Sequence, residues 1–195
     1  MENIVEEAAP KYNFISEEEY LESERVAVDK HEYYQGEIFA MSGASANHNR
    51  IFSNFFGDIA YKLKGKDCVP YGSDLRIHIP SNTLYTYPDI SIICGKMELT
   101  DDKMDTATNP TVIIEILSKS RRNYDRLEKF SLYRDIETLQ EYILIDSRKM
   151  HIEKHIRNAD NSWQLTDHYL PADILIISTV NINIPIADIY LGLHF

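Results

Sequence analysis

The spacing of apolar positions changes several times along the chain, and each change predicts an element. Ile51, Phe55 and Ile59 recur four apart, Phe52 and Phe56 lie beside them, and Gly65 follows. Ser45 to Leu63 is therefore predicted to be an amphipathic helix that stops at the glycine. Upstream, Ser16 is followed by Glu17, Glu18 and Glu19, a capping-box pattern that predicts a short helix. His31 to Met41 predicts a hairpin turning at Gln35-Gly36. Beyond the long helix the period shortens to two, with Leu75, Ile77 and Ile79 alternating with Asp74, Arg76 and His78, as in a strand. Pro88 opens the next predicted strand, Asp89 to Cys94, where proline is tolerated, and Gly95 to Asn109 is predicted to be a loop. Thr111 to Leu117 is an almost unbroken run of strand formers, as expected of a central strand covered on both faces. A helix capped by Ser120 or Asn123 is predicted to run to about Glu137, followed by a strand over Glu141 to Asp146. His151 to Arg157 and Trp163 to Leu170 predict a hairpin, and Ile174 to Phe195 a strand with a short helix after it. This order predicts an α/β or α+β fold with a mixed central sheet.

Composition narrows the class. The 195 residues are 44% hydrophobic and 26% charged, which suits a single domain, expected over 15–195 after a mobile segment, 1–14. No apolar run reaches the ~20 residues that span a bilayer, and the acidic N-terminus lacks the apolar core of a signal peptide. A cytoplasmic location is expected. Cys68 and Cys94 each sit in an apolar segment and are expected to be reduced core thiols. The net charge of −11 argues against a protein that grips DNA by a broad basic surface. It leaves room for a carboxylate cluster, because a bound cation inverts the local charge.

Glu115 is the most informative residue. It lies within Thr-Val-Ile-Ile-Glu-Ile-Leu, in what should be the driest strand of the sheet. An ionised carboxylate there must be paired with a cationic side chain, hold backbone donors or bind a metal. Asp89 follows Pro88 at the mouth of another apolar strand. If the two strands are neighbours, the carboxylates meet at one sheet edge and repel unless a cation or proton lies between them. Asp125 and Lys129 stand four apart on the predicted helix. They form either a surface ion pair or a lysine turned back toward the strand edge. Glu37, after the hairpin turn, is a further acidic candidate or a solvated hairpin residue. His48 near the helix start, Asp74 on a strand face and Ser118 at the strand end are candidates for supporting or substrate-binding roles. No Gly-x-Ser-x-Gly elbow is present, and histidines and cysteines show no zinc-ligand spacing.

Five segments occur in a telling order: Glu-Tyr-Tyr-Gln-Gly-Glu-Ile (32–38), Tyr-Pro-Asp-Ile (87–90), Asn-Pro-Thr-Val-Ile-Ile-Glu-Ile-Leu-Ser (109–118), Tyr-Asp-Arg-Leu-Glu-Lys-Phe-Ser-Leu-Tyr (124–133) and Glu-Tyr-Ile-Leu-Ile-Asp (141–146). Together they resemble the Uma-two family of restriction endonucleases, within the PD-(D/E)xK superfamily, from about Ser16 to the end. The resemblance implies a restriction-endonuclease-like fold, a mixed central sheet flanked by helices. It also implies a magnesium or manganese site on Asp89 and Glu115, with Lys129 and Glu37 completing the catalytic set. The superfamily lysine would fall at 117, where this chain has Leu117, so Lys129 looks like its migrated replacement. The implied substrate is nucleic acid, DNA foremost, and a homodimer would let such a fold address two strands. The competing expectation is a non-catalytic nucleic-acid-binding or regulatory module on the same fold, which the acidic surface favours.

Overall fold

The computed structural model describes residues 14–118 and 124–195, with backbone alone at 124–126. The predicted caps Ser120 and Asn123, and the segment 1–14 apart from Phe14, lie outside the described residues. Helix α1 (Glu17–Glu24) begins at the capping box read from the sequence, since the Ser16 side chain accepts from the Glu19 N–H while Glu19 reaches back to the Ser16 N–H. A hairpin follows, β1 (His31–Tyr34) and β2 (Glu37–Ala40), with Gln35 and Gly36 both at positive φ in its turn. Helix α2 (Ala46–Leu63) is capped by Ser45 and buries Ile51, Phe55, Ile59 and Leu63 on one stripe. After it come β3 (Cys68–Gly72), β4 (Arg76–Ile79), β5 (Leu84–Thr86), β6 (Ile90–Cys94), β7 (Thr106–Ala107) and β8 (Val112–Leu117). A π-helical turn at Tyr124–Lys129 runs into α3 (Phe130–Tyr133). The chain closes with β9 (Glu141–Asp146), β10 (Ile152–Arg157), β11 (Trp163–His168), the hairpin β12 (Ile174–Ile177) and β13 (Ile182–Pro185), and α4 (Ile186–Ile189).

A six-stranded mixed sheet, ordered β11-β10-β9-β8-β6-β3, forms the centre. The β8–β9 pair is parallel and the others are antiparallel. Strand β8 is buried at every position, and its alternate residues serve two cores. Val112, Ile114 and Ile116 pack with α2 and the C-terminal hairpin on one face. Ile113 and Leu117 pack on the other with Tyr133, Tyr142 and the aliphatic residues of β4 and β5. Glu115 points into this second core by strand alternation. The mixed central sheet expected from the sequence is present, with a helix across one face. Opposite, much of the cover is a second, five-stranded sheet, β2-β1-β5-β4-β7, rather than helix.

That second sheet explains why β4 is buried at all four positions. The alternation at Arg76 and His78 does not mark a solvent face. The Arg76 guanidinium donates to Tyr87, Thr106 and Asp105, and His78 stacks on Tyr85 with centroids 3.9 Å apart. Burial chiefly, with the nearby Arg76 charge, pushes His78 below its ordinary pKa, while the Leu84 carbonyl and Glu17 oppose.

The cysteines depart from expectation. β3 runs antiparallel to β6 in a register that sets Cys68 directly opposite Cys94, and the two form a disulfide rather than remaining as reduced thiols. The bridge closes a loop of 26 residues' separation, and constraint of the unfolded chain is worth about 2–4 kcal/mol. Thiol titration of the denatured protein without reductant should find no free cysteine, and reductant should lower stability by about that amount.

Candidate active site

The chain passes from the second sheet to the central one at Tyr87-Pro88-Asp89, between β5 and β6. This crossing delivers Asp89 to the end of β8. The Ile116 N–H donates to Asp89 Oδ2 at 2.7 Å, and the Asp89 N–H donates to Glu115 Oε2 at 3.3 Å. The two acidic residues are thus tied to each other through backbone donors. His48 Nε2, one turn into α2, lies 3.1 Å from Asp89 Oδ2.

Lys129 is fully buried. Its Nζ stands 2.8 Å from Glu115 Oε1 and 2.9 Å from Glu32 Oε1. Of the two arrangements open for this lysine, the structure has the inward one. Lys129 precedes Tyr133 by four residues, one helical repeat, and the wholly buried Tyr133 donates to the same Glu115 oxygen at 2.8 Å. Burial, then the neighbouring Glu115 charge, holds the Tyr133 phenol well above its ordinary pKa, so it remains a donor.

Glu32 is the residue that sequence reasoning missed. It is 2% exposed and accepts from Thr86 Oγ1 at 2.6 Å. The motif 32–38 offers two glutamates, and Glu37 was the one selected. Hairpin register pairs Glu32 with Phe39 and Glu37 with Tyr34. Glu37 therefore sits at the turn, one pleat repeat away; neither glutamate lines the cleft where Asp89, Glu115 and Lys129 gather, and Glu32 reaches it through its ion pair with Lys129. No local signal separates the two glutamates, because it is the long-range pairing of Tyr33 with Tyr85 that sets Glu32 beside Thr86.

That cleft measures about 440 Å³ and runs between the α2 start and the end of β8, with His48, Phe52, Tyr87 and Ser118 also on its walls. Asp74 does not line the cleft; it is 96% exposed and 2.5 Å from the Nζ of Lys30, which does. The Asp125 side chain lies outside the described residues.

The donor set suits a divalent cation. Among the described residues both side-chain contacts of Asp89 fall on Oδ2, which puts Oδ1 forward as a ligand atom beside the Glu115 carboxylate. As ionised groups, Glu32, Glu115 and Asp89 outweigh Lys129 by two negative charges among the described residues, the charge one dication neutralises. Oxygen donors with room for water suit Mg²⁺ or Mn²⁺. A separate group, His151, Glu153 and Asp167, also meets the distance requirement for holding a metal.

Comparison with known proteins identifies the family and the fold. The family model for Uma2, described as "Putative restriction endonuclease", matches residues 17–187. Two uncharacterized proteins of Synechocystis sp. are similar over much of their length. The protein sll1609 is 38% identical over 149 residues, 76% of this chain and 84% of the relative. The protein slr1290 is 35% identical over 181 residues, 93% and 94% respectively. A crystal structure described as a putative nuclease belonging to DUF820 from Anabaena variabilis superposes with a TM-score of 0.73 at 17% identity, over 90% of this chain and 97% of that one, and shares the fold. No helix among the described residues is long and apolar enough to cross a membrane. With its ordered motifs, its mixed sheet and a family match that runs from α1 to α4, the chain belongs to the Uma2 family of restriction-endonuclease-like proteins.

Proposed function

We propose that this protein is a metal-dependent endonuclease that hydrolyses phosphodiester bonds in nucleic acid, with DNA the foremost substrate. The observation that carries the reading is the buried Glu32–Lys129–Glu115 cluster beside Asp89. A lysine held between two carboxylates in a dry strand environment stabilises a protein poorly compared with an apolar filling of the same space, whereas it is well suited to chemistry on a phosphate.

Asp89 and Glu115 would hold Mg²⁺ or Mn²⁺. Such an ion polarises a phosphoryl oxygen and lowers the pKa of water toward neutrality. Lys129 supplies a fixed positive charge that orients the attacking water and stabilises negative charge developing on phosphorus. Glu32 and Tyr133 keep the ammonium and the Glu115 carboxylate in place. His48 positions the Asp89 carboxylate from the opposite side. The net charge of −11 supports a second reading, a binding module that keeps the fold without cutting.

Incubation with supercoiled plasmid, single-stranded DNA and RNA, with Mn²⁺ or with chelator, separates the two. Cutting that requires metal supports the nuclease, and binding without cutting supports the module. His48→Ala should lower metal affinity or activity about 10–100-fold, as loss of a group that orients a ligand does, while leaving the fold intact by circular dichroism.

A further inference from the structure

A second set of ligating side chains lies on the central sheet beyond β9. Glu115, Leu144, Glu153 and Asp167 are successive register partners across β8, β9, β10 and β11. At about 4.8 Å per strand, Glu153 is roughly 10 Å from Glu115 on the same face. His151, two residues before Glu153, shares that side of the sheet, and its ring stacks on Tyr169 at 4.5 Å with planes 4° apart.

His151 is 5% exposed. Its Nε2 lies 2.7 Å from Asp167 Oδ1. A carboxylate only accepts, so Nε2 carries a proton, and with a metal at the other nitrogen Nδ1 would supply its lone pair. This Nδ1 is sealed from solvent and has no hydrogen-bond partner among the described residues. It faces Glu153 Oε1 at 3.6 Å. A buried lone pair set against a carboxylate oxygen is unfavourable unless a metal cation or a proton lies between them. Two ligands bound tetrahedrally at about 2.0–2.2 Å sit roughly 3.4 Å apart, close to the spacing seen. A histidine whose far nitrogen donates to a carboxylate is also the usual arrangement behind a metal-bound imidazole.

We propose that His151 Nδ1 and Glu153 bind a transition-metal dication, with Zn²⁺ the best match to an imidazole and carboxylate donor set, and that Asp167 orients the imidazole. The site ties the turn after β9 to the β10–β11 hairpin and is separate from the Asp89–Glu115 cleft.

The test is a calorimetric Zn²⁺ titration of the folded double variant Asp89→Asn with Glu115→Gln, which removes the first pair of ligands. One equivalent should bind, with the His151 Nδ1 signal shifting in ¹⁵N NMR. His151→Gln should abolish that binding, and Asp167→Asn should weaken it about 10–100-fold. Should His151→Gln fail to fold, Glu153→Gln gives the same reading at a more accessible ligand. The proposal is overturned if the double variant takes up no zinc, or if uptake survives loss of His151 or Glu153. It is equally overturned if His151 stays doubly protonated in saturating zinc, because then a proton rather than a metal bridges it to Glu153.

Discussion

Lys129→Met is expected to destabilise the metal-free protein by about 3–5 kcal/mol, the cost of leaving a buried charge without its partner. Methionine matches much of the lysine stem, so the loss is chiefly of charge. In the native protein one ammonium serves Glu32 at 2.9 Å and Glu115 at 2.8 Å, and all three side chains are almost wholly buried. Without it the two carboxylates are left in a dry environment with neutral donors such as Thr86, Tyr133 and the Asp89 N–H beside them. For a protein of this size each kcal/mol moves the midpoint by about 2–4 °C, so thermal unfolding should fall by roughly 6–20 °C. Mn²⁺ should then raise the variant's midpoint more than the wild type's, because the dication supplies charge that the lysine no longer does. A variant as stable as the wild type in chelator would show that the cluster is not ionised as drawn.

The second large effect is on metal binding. Glu115→Gln keeps the volume of the side chain and removes its charge. Both oxygens of Glu115 accept in the native protein, Oε1 from Tyr133 and Lys129, and Oε2 from the Asp89 N–H. An amide has only one acceptor end, so its NH₂ must face a donor on one side or the other. Loss of a direct ligand should exceed the 10–100-fold that an outer partner commands. Mn²⁺ affinity by calorimetry should therefore fall by at least about a hundredfold, and Asp89→Asn should act in the same direction. Unchanged affinity in both variants would move the metal away from this pair.

The parts of the molecule that were legible in the sequence are those where one physical rule dominated. The α2 stripe, the Ser16 capping box and the buried run of β8 were each set by local spacing or by continuous apolarity. Glu115 stood out because a charge in such a strand demands a partner. The second sheet was harder to see, because its strands are two to four residues long and β4 and β5 are covered on both sides, so alternation carries no information. Arg76 and His78 alternate with apolar residues, yet both are buried because tertiary contacts bring Asp105, Tyr87 and Tyr85 to them. The disulfide was missed for a related reason. β3 contains Pro70 and is only partly buried, so neither the strand nor its register against β6 could be anticipated. Glu32 and Glu37 present the same residue type on one hairpin. Only the pairing of β1 with β5, a long-range contact, decides which of them meets Lys129.

In the proposed reaction Asp89, Glu115 and Lys129 act together on a phosphodiester. The most direct measurement is the rate of supercoiled-plasmid cutting in Mn²⁺ by wild type, Glu115→Gln and Lys129→Met, assayed side by side at a temperature where all three are folded. Metal-dependent cutting is expected of the wild type, none detectable of Glu115→Gln, and a loss of about 10²–10³-fold of Lys129→Met, comparable to removal of a charge-stabilising donor. Cutting by Glu115→Gln at the wild-type rate would contradict this reaction and place the chemistry elsewhere on the molecule.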